Sequence, residues 1–288
     1  VGTDFSAAAS TAVAFAFELA RRTGAGIELV HAVDPRGQHG GGYRLLDRLL
    51  PSSHVDPEVL RAEADQAVRA VGAQHAPPEA STRIVVGEAA AEILSLRILS
   101  GADLVVLGGS GLRGLRHFLL GSVADRVLRR PGCPLLLVNE MPASGRIDRV
   151  LVGAEYPDRP TPWLRAAVDV AHAFAAELTV VHVPPAPGYA SDRHHVDLEP
   201  EKAGLKLERL LASELPELSV QIAIERGDPA VLLPDLGRKL GSQLVVIGAE
   251  RNAEGWPGRV ADRVARAGLP AVLLVWPPPE ADEEWAGK

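Results

Sequence analysis

Leu104-Val105-Val106-Leu107-Gly108-Gly109-Ser110-Gly111 is the stretch that decides the fold. Four apolar residues in succession suit a strand buried on both faces. The glycines that follow let the backbone turn tightly. Leu244-Val245-Val246-Ile247-Gly248 is a second version of the same strand. The correspondence extends outward on both sides. Leu29-Val30-His31 matches Val180-Val181-His182, and Ala124-Asp125-Arg126-Val127 recurs as Ala261-Asp262-Arg263-Val264. Arg149-Val150-Leu151-Val152-Gly153-Ala154-Glu155 matches Val1-Gly2-Thr3-Asp4 and supplies a strand start that the first copy lacks. Val1-Gly2-Thr3 therefore reads as the end of a truncated strand. Two copies of about 140 residues indicate duplication rather than a solenoid of short units. The boundary falls in the turn-rich Met141-Pro142-Ala143-Ser144-Gly145, giving domains 1–142 and 146–288.

Within the first copy, β-branched runs predict strands over 27–33, 81–87, 103–109 and 133–139. Helical stretches cover 6–22, 57–75, 89–100 and 122–130. Ser6 is a good N-cap for the first helix and Gly24 a natural stop. Strands alternating with helices imply a parallel sheet with right-handed crossovers. The stretches 34–57 and 184–200, rich in glycine or proline, read as long crossovers or as lids.

Composition narrows the function classes. The chain has 288 residues, 47% hydrophobic and 23% charged, which suits a globular protein of two domains. Its net charge of -7 argues against a general nucleic-acid surface. The single cysteine, Cys133, excludes a disulfide scaffold and a cysteine-rich metal site. No apolar run approaches the roughly 20 residues that span a bilayer. No basic segment followed by an apolar core marks a signal peptide, so the cytoplasm is the expected compartment.

The segment from Gly108 to Ser122 carries the chemistry. The glycines allow close backbone approach, and Ser122 stands where a helix begins, so its hydroxyl and the first amides can face an anion. It is not a Walker A loop, because no Lys-Ser or Lys-Thr follows a GxxxxG frame. Gly109-Ser110-Gly111-Leu112-Arg113-Gly114 fits GxGxxG, but after the fourth strand and not after the first. A glycine-rich turn that only caps a helix also accounts for these residues taken alone.

The wider spacing is more specific: Gly108, two residues, Gly111, nine residues, then Gly121-Ser122. With Thr3-Asp4-Phe5-Ser6 and the closing Cys133-Pro134-Leu135-Leu136-Leu137-Val138, it resembles the nucleotide-binding branch of the universal stress protein family. The resemblance covers both halves and is stronger in the first. It implies an α/β fold of two tandem five-stranded parallel sheets, order 3-2-1-4-5, with helices on both faces in a Rossmann-like, adenine nucleotide alpha hydrolase-like arrangement. It implies ATP, with Mg2+ as counter-ion, at the carboxyl ends of strands one and four. Carried over by residue, it places Gly2, Thr3 and Asp4 near the adenosine and the backbone of Ala32 at the adenine edge. Gly108, Gly109 and Gly111 approach the ribose and phosphates. Gly121, Ser122 and the amide of Val123 hold the phosphates, and Arg113 is a candidate to neutralise them, with Arg116 nearby. Asp4 as a local helix cap and the arginines as solvated surface charge are the competing readings.

The second copy departs from the pattern. In Gly248-Ala249-Glu250-Arg251-Asn252-Ala253-Glu254-Gly255-Trp256-Pro257-Gly258-Arg259, Arg251 replaces the second glycine and Arg259 stands in place of Ser122. The interval is three residues shorter, and Glu250 and Glu254 add charge unfavourable to phosphate. Glu155 replaces Asp4. A fold kept without its phosphate grip is expected, with a remodelled anion site on Arg251 or Arg259 as the rival.

Other residues signal less. His31 and His182 end equivalent strands, which suggests a structural role. His194-His195 with Asp192 and Asp197 read as exposed loop polarity rather than a metal site. Cys133 reads as a packing residue. No nucleophile–base set is placed by this framework, so no catalytic residue is assigned. The expected role is a nucleotide-dependent stress-response regulator. An ATP-hydrolysing or adenylate-forming enzyme and a scaffolding module without nucleotide are the alternatives. The apolar fifth strands, 133–139 and 270–276, are expected to pair antiparallel, making an intramolecular pseudo-dimer open to further self-association.

Overall fold

The computed structural model describes residues 1–33, 80–109, 120–130, 133–142, 144–155, 160–184, 200–214, 219–250 and 256–278. The helix expected over 57–75 and the stretches 34–57 and 185–199 lie outside these residues. In the first half the elements are α1 (Ala7–Thr23), β1 (Ile27–Val33), β2 (Ala80–Val86), α2 (Ala89–Ser100), β3 (Val105–Gly108), α3 (Ser122–Leu128) and β4 (Leu135–Val138). In the second half they are β5 (Arg149–Gly153), α4 (Pro162–Phe174), β6 (Glu177–His182), α5 (Pro200–Glu214), β7 (Val220–Ile224), α6 (Pro229–Lys239), β8 (Leu244–Gly248), α7 (Arg259–Ala265) and β9 (Ala271–Val275).

Local chemistry accounts for the helix ends. The Ser6 hydroxyl accepts from the Ala9 amide, and Gly24 closes α1 in the left-handed region at φ 73°. The Thr161 hydroxyl caps α4 in the same way through Leu164. Glu88 and Asp228 cap α2 and α6 with their carboxylates.

The strands form a seven-stranded sheet, in the order β3-β4-β9-β8-β5-β6-β7, and a two-stranded sheet of β1 and β2. All pairings are parallel except one, the antiparallel ladder between β4 and β9. This differs from two five-stranded sheets. The cause is the segment 1–3, which lies between β1 and β3 but makes too few rungs to count as a strand. The Gly2 amide donates to Val106 (3.0 Å) and the Thr3 amide to Val30 (2.9 Å), and Gly2 bridges Val30. The chain then turns away at Asp4-Phe5, before a ladder can extend.

The halves share their cores. Alternate residues of a strand face opposite sides of a sheet. Leu136 and Val138 of β4 enter one cluster with Phe15 of α1 and Phe174 of α4. Leu135 and Leu137 enter another with Leu128 of α3 and Leu274 of β9. Both clusters draw on both halves. Polar contacts reinforce the seam: the Asn139 amide donates to Pro270, and Arg22 lies 5.4 Å from the Phe174 ring centroid.

Asp125 on α3 sits at this seam, with Arg266 after α7 and Arg129 both donating to it. Partial burial alone would raise its pKa. The two guanidinium groups outweigh that and hold the carboxyl below its ordinary range. A lowered folded-state pKa contributes stability that is present above the unfolded value, near 4, and lost as pH falls through the folded value. Partial exposure limits the effect to about 1 kcal/mol. Denaturant melts between pH 7 and 2 should therefore show Asp125→Asn with a shallower acid loss than the parent. An unchanged pH profile would remove this pair from the account.

Candidate functional site

The carboxyl ends of β1 and β3 flank the end of segment 1–3. Chain order moves from this segment to β1 and β2 on one side, then returns to β3 and β4 on the other. Such a reversal leaves a crevice at the strand ends. Glu28 and Val30 direct backbone groups toward the segment: the Glu28 carbonyl accepts from the Val1 amine (2.8 Å) and the Val30 amide donates to Val1 (2.8 Å). By strand alternation Ala32 directs its amide and carbonyl to the same side, one rung beyond Thr3.

At the turn, the Asp4 carboxylate accepts from the Ser6 amide at 3.0 Å, and the Thr3 hydroxyl accepts from the Phe5 amide at 3.1 Å. Asp4 thus does local backbone work while staying exposed. Phe5 takes φ 59°, unusual for a bulky residue, and its ring lies against His31 with centroids 4.6 Å apart. His31 Nδ1 lies 2.8 Å from the Thr3 carbonyl oxygen. His182 repeats this contact with Ala154 at 2.7 Å. The paired histidines are structural ties between adjacent strands, as their equivalent positions suggest.

The glycines divide by what faces them. A Cβ at Gly108 would lie 2.9 Å from the Ala8 backbone, so Gly108 lets the first turn of α1 pack on β3. A Cβ at Gly109 would strike the Asn139 side chain at 2.3 Å. Gly108 is required by packing against backbone, whereas a side chain at Gly109 would have to displace that of Asn139; the Gly109 amide donates to Val138. Gly121 is different. Among the described residues the nearest atom to its Cβ would be the Gly109 oxygen at 3.6 Å, an ordinary contact. The Gly121 amide donates to that same oxygen (2.8 Å), which brings the start of α3 back to the end of β3. No side chain caps α3, and Ser122 is exposed at its first turn. The structure thus brings Thr3, Asp4, Ala32, Gly108, Gly109, Gly121 and Ser122 to one end of the sheets. Gly111, Arg113 and Arg116 lie outside the described residues.

The corresponding positions of the second half carry different side chains. Trp163, second residue of α4 as Ala8 is of α1, presses its indole over Gly248, where a Cβ would meet the ring at 2.7 Å. Arg259 is held by Asp228 through two contacts of 2.8 Å. Those hydrogen bonds hold the Asp228 carboxyl below its ordinary range. A Cβ at Gly258 would meet the Glu250 carboxylate at 2.8 Å. Arg251, Glu254, His194, His195, Asp192 and Asp197 lie outside the described residues.

Asn139 and Trp163 were not evident as site residues from sequence. Asn139 shapes the wall beside Gly109 while its amide nitrogen donates to Leu269 across the seam, a contact between distant parts of the chain. Among the described residues no group of histidine, cysteine and carboxylates could hold a metal ion. No helix among them is long and apolar enough to cross a membrane.

The universal stress protein family model matches residues 1–139 and again 146–275. A universal stress protein of Mycobacterium tuberculosis is 32% identical over 194 residues, 62% of each chain. One from Methanocaldococcus jannaschii is 36% identical over 85 residues, so the match spans 29% of this chain and half of that protein. The crystal structure of a universal stress protein from Archaeoglobus fulgidus aligns over 96% of both chains with a TM-score of 0.68 at 21% identity, a likeness of fold. Two successive matches of one family model, on an α/β body whose halves repeat each other's strand-end histidines, make this chain a tandem member of the universal stress protein family.

Proposed function

We propose that the first half binds one adenine nucleotide, ATP with Mg2+ as its counter-ion, and that the chain acts as a nucleotide-dependent stress-response regulator in the cytoplasm rather than as an enzyme. The observation that carries this reading is the convergence of Ala32, Asp4 and the Gly121-Ser122 helix start on one strand-end crevice, with only an ordinary contact to the Gly109 oxygen, among the described residues, at the position of a Gly121 side chain. The residues there suit a nucleotide. Ala32 offers an amide and a carbonyl for a base edge, and Asp4 a carboxylate for ribose hydroxyls. The Gly109 amide donates to Val138 and holds the end of β3 in place, while backbone amides at Gly111 and Val123, with the Ser122 hydroxyl, offer donors to phosphate, and Arg113 offers charge. Gly2 and Gly108 allow the strands and α1 to close beneath the site. In this reading segment 1–3 is a reduced central strand of a 3-2-1-4-5 sheet, the domains are 1–142 and 146–288, and further self-association uses a face other than the β4–β9 seam.

Because Trp163 and the Arg259–Asp228 pair occupy the corresponding region of the second half, binding is expected at one site per chain. Calorimetric titration with MgATP tests this. A stoichiometry near one supports it, two equal sites would overturn the asymmetry, and absence of heat with an intact fold would favour the scaffolding alternative. Turnover of ATP under the same conditions would favour the enzymatic one.

A further inference from the structure

The helix that begins at Gly121-Ser122 carries a carboxylate within one turn of its start. Asp125 follows Ser122 by three residues, about 4.5 Å along the axis of α3, and neighbours it on the helix surface. Its Cα–Cβ bond tilts toward the start of the helix. A carboxylate in a first turn takes up the attraction of the positive helix end, and it repels a further anion placed there. Arg126, the other charged residue of α3, donates to Glu88 at 2.7 Å.

Two guanidinium groups neutralise Asp125, and the second half reaches both. Arg129 donates to it at 3.2 Å and also lies over the Trp256 ring, 5.0 Å from the centroid. Arg266, at the end of α7, donates to Asp125 and, at 3.0 Å, to Asp262. Asp262 and Arg266 are the second-half counterparts of Asp125 and Arg129, on the repeated Ala-Asp-Arg-Val helix. The ion pair of one half thus extends to the carboxylate of the other. The Arg266 and Asp125 side chains are 26% and 29% exposed, so bulk water and salt screen their charges only in part.

Resting on the proposed placement of phosphate at Gly121-Ser122, we infer that Arg266 of the second half tunes the nucleotide site of the first half for phosphate charge. By neutralising Asp125 it removes a repulsion that acts on the phosphates and leaves the nucleoside untouched. Arg266 is a positioning residue in this scheme, since it acts on the ligand through Asp125. The second half, whose own motif has lost the serine at the helix start, then serves binding by completing the charge balance of the first. A purely structural contact predicts something different: breaking it from either side would weaken nucleoside and nucleotide alike.

The test titrates the full chain with MgATP and with adenosine by calorimetry, for the parent, Arg266→Gln, Asp125→Asn and the double variant. Arg266→Gln should lose MgATP affinity about five- to tenfold and keep adenosine within about twofold. The MgATP loss should shrink in added salt. Asp125→Asn should bind MgATP at least as well as the parent. The double variant should recover parental affinity, because the carboxylate that Arg266 neutralises is gone. The inference is overturned if Arg266→Gln binds MgATP like the parent, if it loses adenosine by the same factor, or if Asp125→Asn or the double variant is as weak as Arg266→Gln. A folded parent that binds no MgATP overturns the phosphate placement and this inference together, whereas a parent that binds while Arg266→Gln matches it overturns this inference alone.

Discussion

Replacing Leu136 with aspartate is expected to remove the folded form of the whole chain, not of one half. Leu136 is 1% exposed and stands opposite Leu273 in the antiparallel ladder that joins the halves. Its side chain enters the cluster that holds Phe15 of the first half and Phe174 of the second. A carboxylate there loses hydration and finds no paired charge, so it either ionises at high cost or takes up a proton. The loss of packing adds to this, for a total of roughly 4 kcal/mol or more, a large fraction of ordinary domain stability. Because both cores are shared, the parent should unfold in one cooperative transition by calorimetry and by circular dichroism. The variant should show none, or one at far lower temperature. Two separate transitions in the parent, or a variant whose second half melts as before, would contradict a shared core.

Gly121→Val should cost ATP affinity about a hundred-fold or more while leaving stability within about 1 kcal/mol of the parent. Gly121 has φ −60° and ψ 149°, backbone that any residue can adopt. Among the described residues the one neighbour of an added Cβ is the Gly109 oxygen at 3.6 Å, an ordinary contact. The isopropyl group would instead project into the space assigned to phosphate. Ser122→Ala removes one hydrogen bond to a charged group, worth roughly 1.5–3 kcal/mol, or about ten- to a hundred-fold. Gly108→Ala provides the contrast, since its Cβ lies 2.9 Å from the Ala8 backbone and must displace α1. It should lower the melting temperature as well as binding. Titration calorimetry with parallel thermal melts separates the cases. If Gly121→Val binds ATP like the parent, the phosphates are not held at the start of α3.

Much of this molecule was legible in its residues. The duplicated LVV-type strands, the alternation with helices, the Ser6 and Gly24 caps and the apolar closing strands all rest on interactions between near neighbours, or on burial patterns that repeat along the chain. Those are properties a sequence carries locally, and they determined the α/β class, the tandem organisation and which strand ends carry the glycine motif. The weakened motif of the second half was equally visible in Arg259 standing where Ser122 stands.

Other features came from the tertiary structure alone. Gly108 and Gly109 look alike in sequence to Gly121, yet Ala8 and Asn139 fill the space beside the first two and not the third. Trp163 reads as an ordinary apolar residue of an amphipathic helix until β8 is placed beneath it. The short segment 1–3 reads as a strand end, but only its rungs to Val30 and Val106 decide whether a ladder exists. Cys133 and Trp276 carry no shared motif, because what sets them side by side is the register of β4 against β9 across a seam between distant parts of the chain. Propensity and capping act over a few residues, whereas contact between side chains so far apart is set by how whole sheets and helices pack, and no local pattern encodes it.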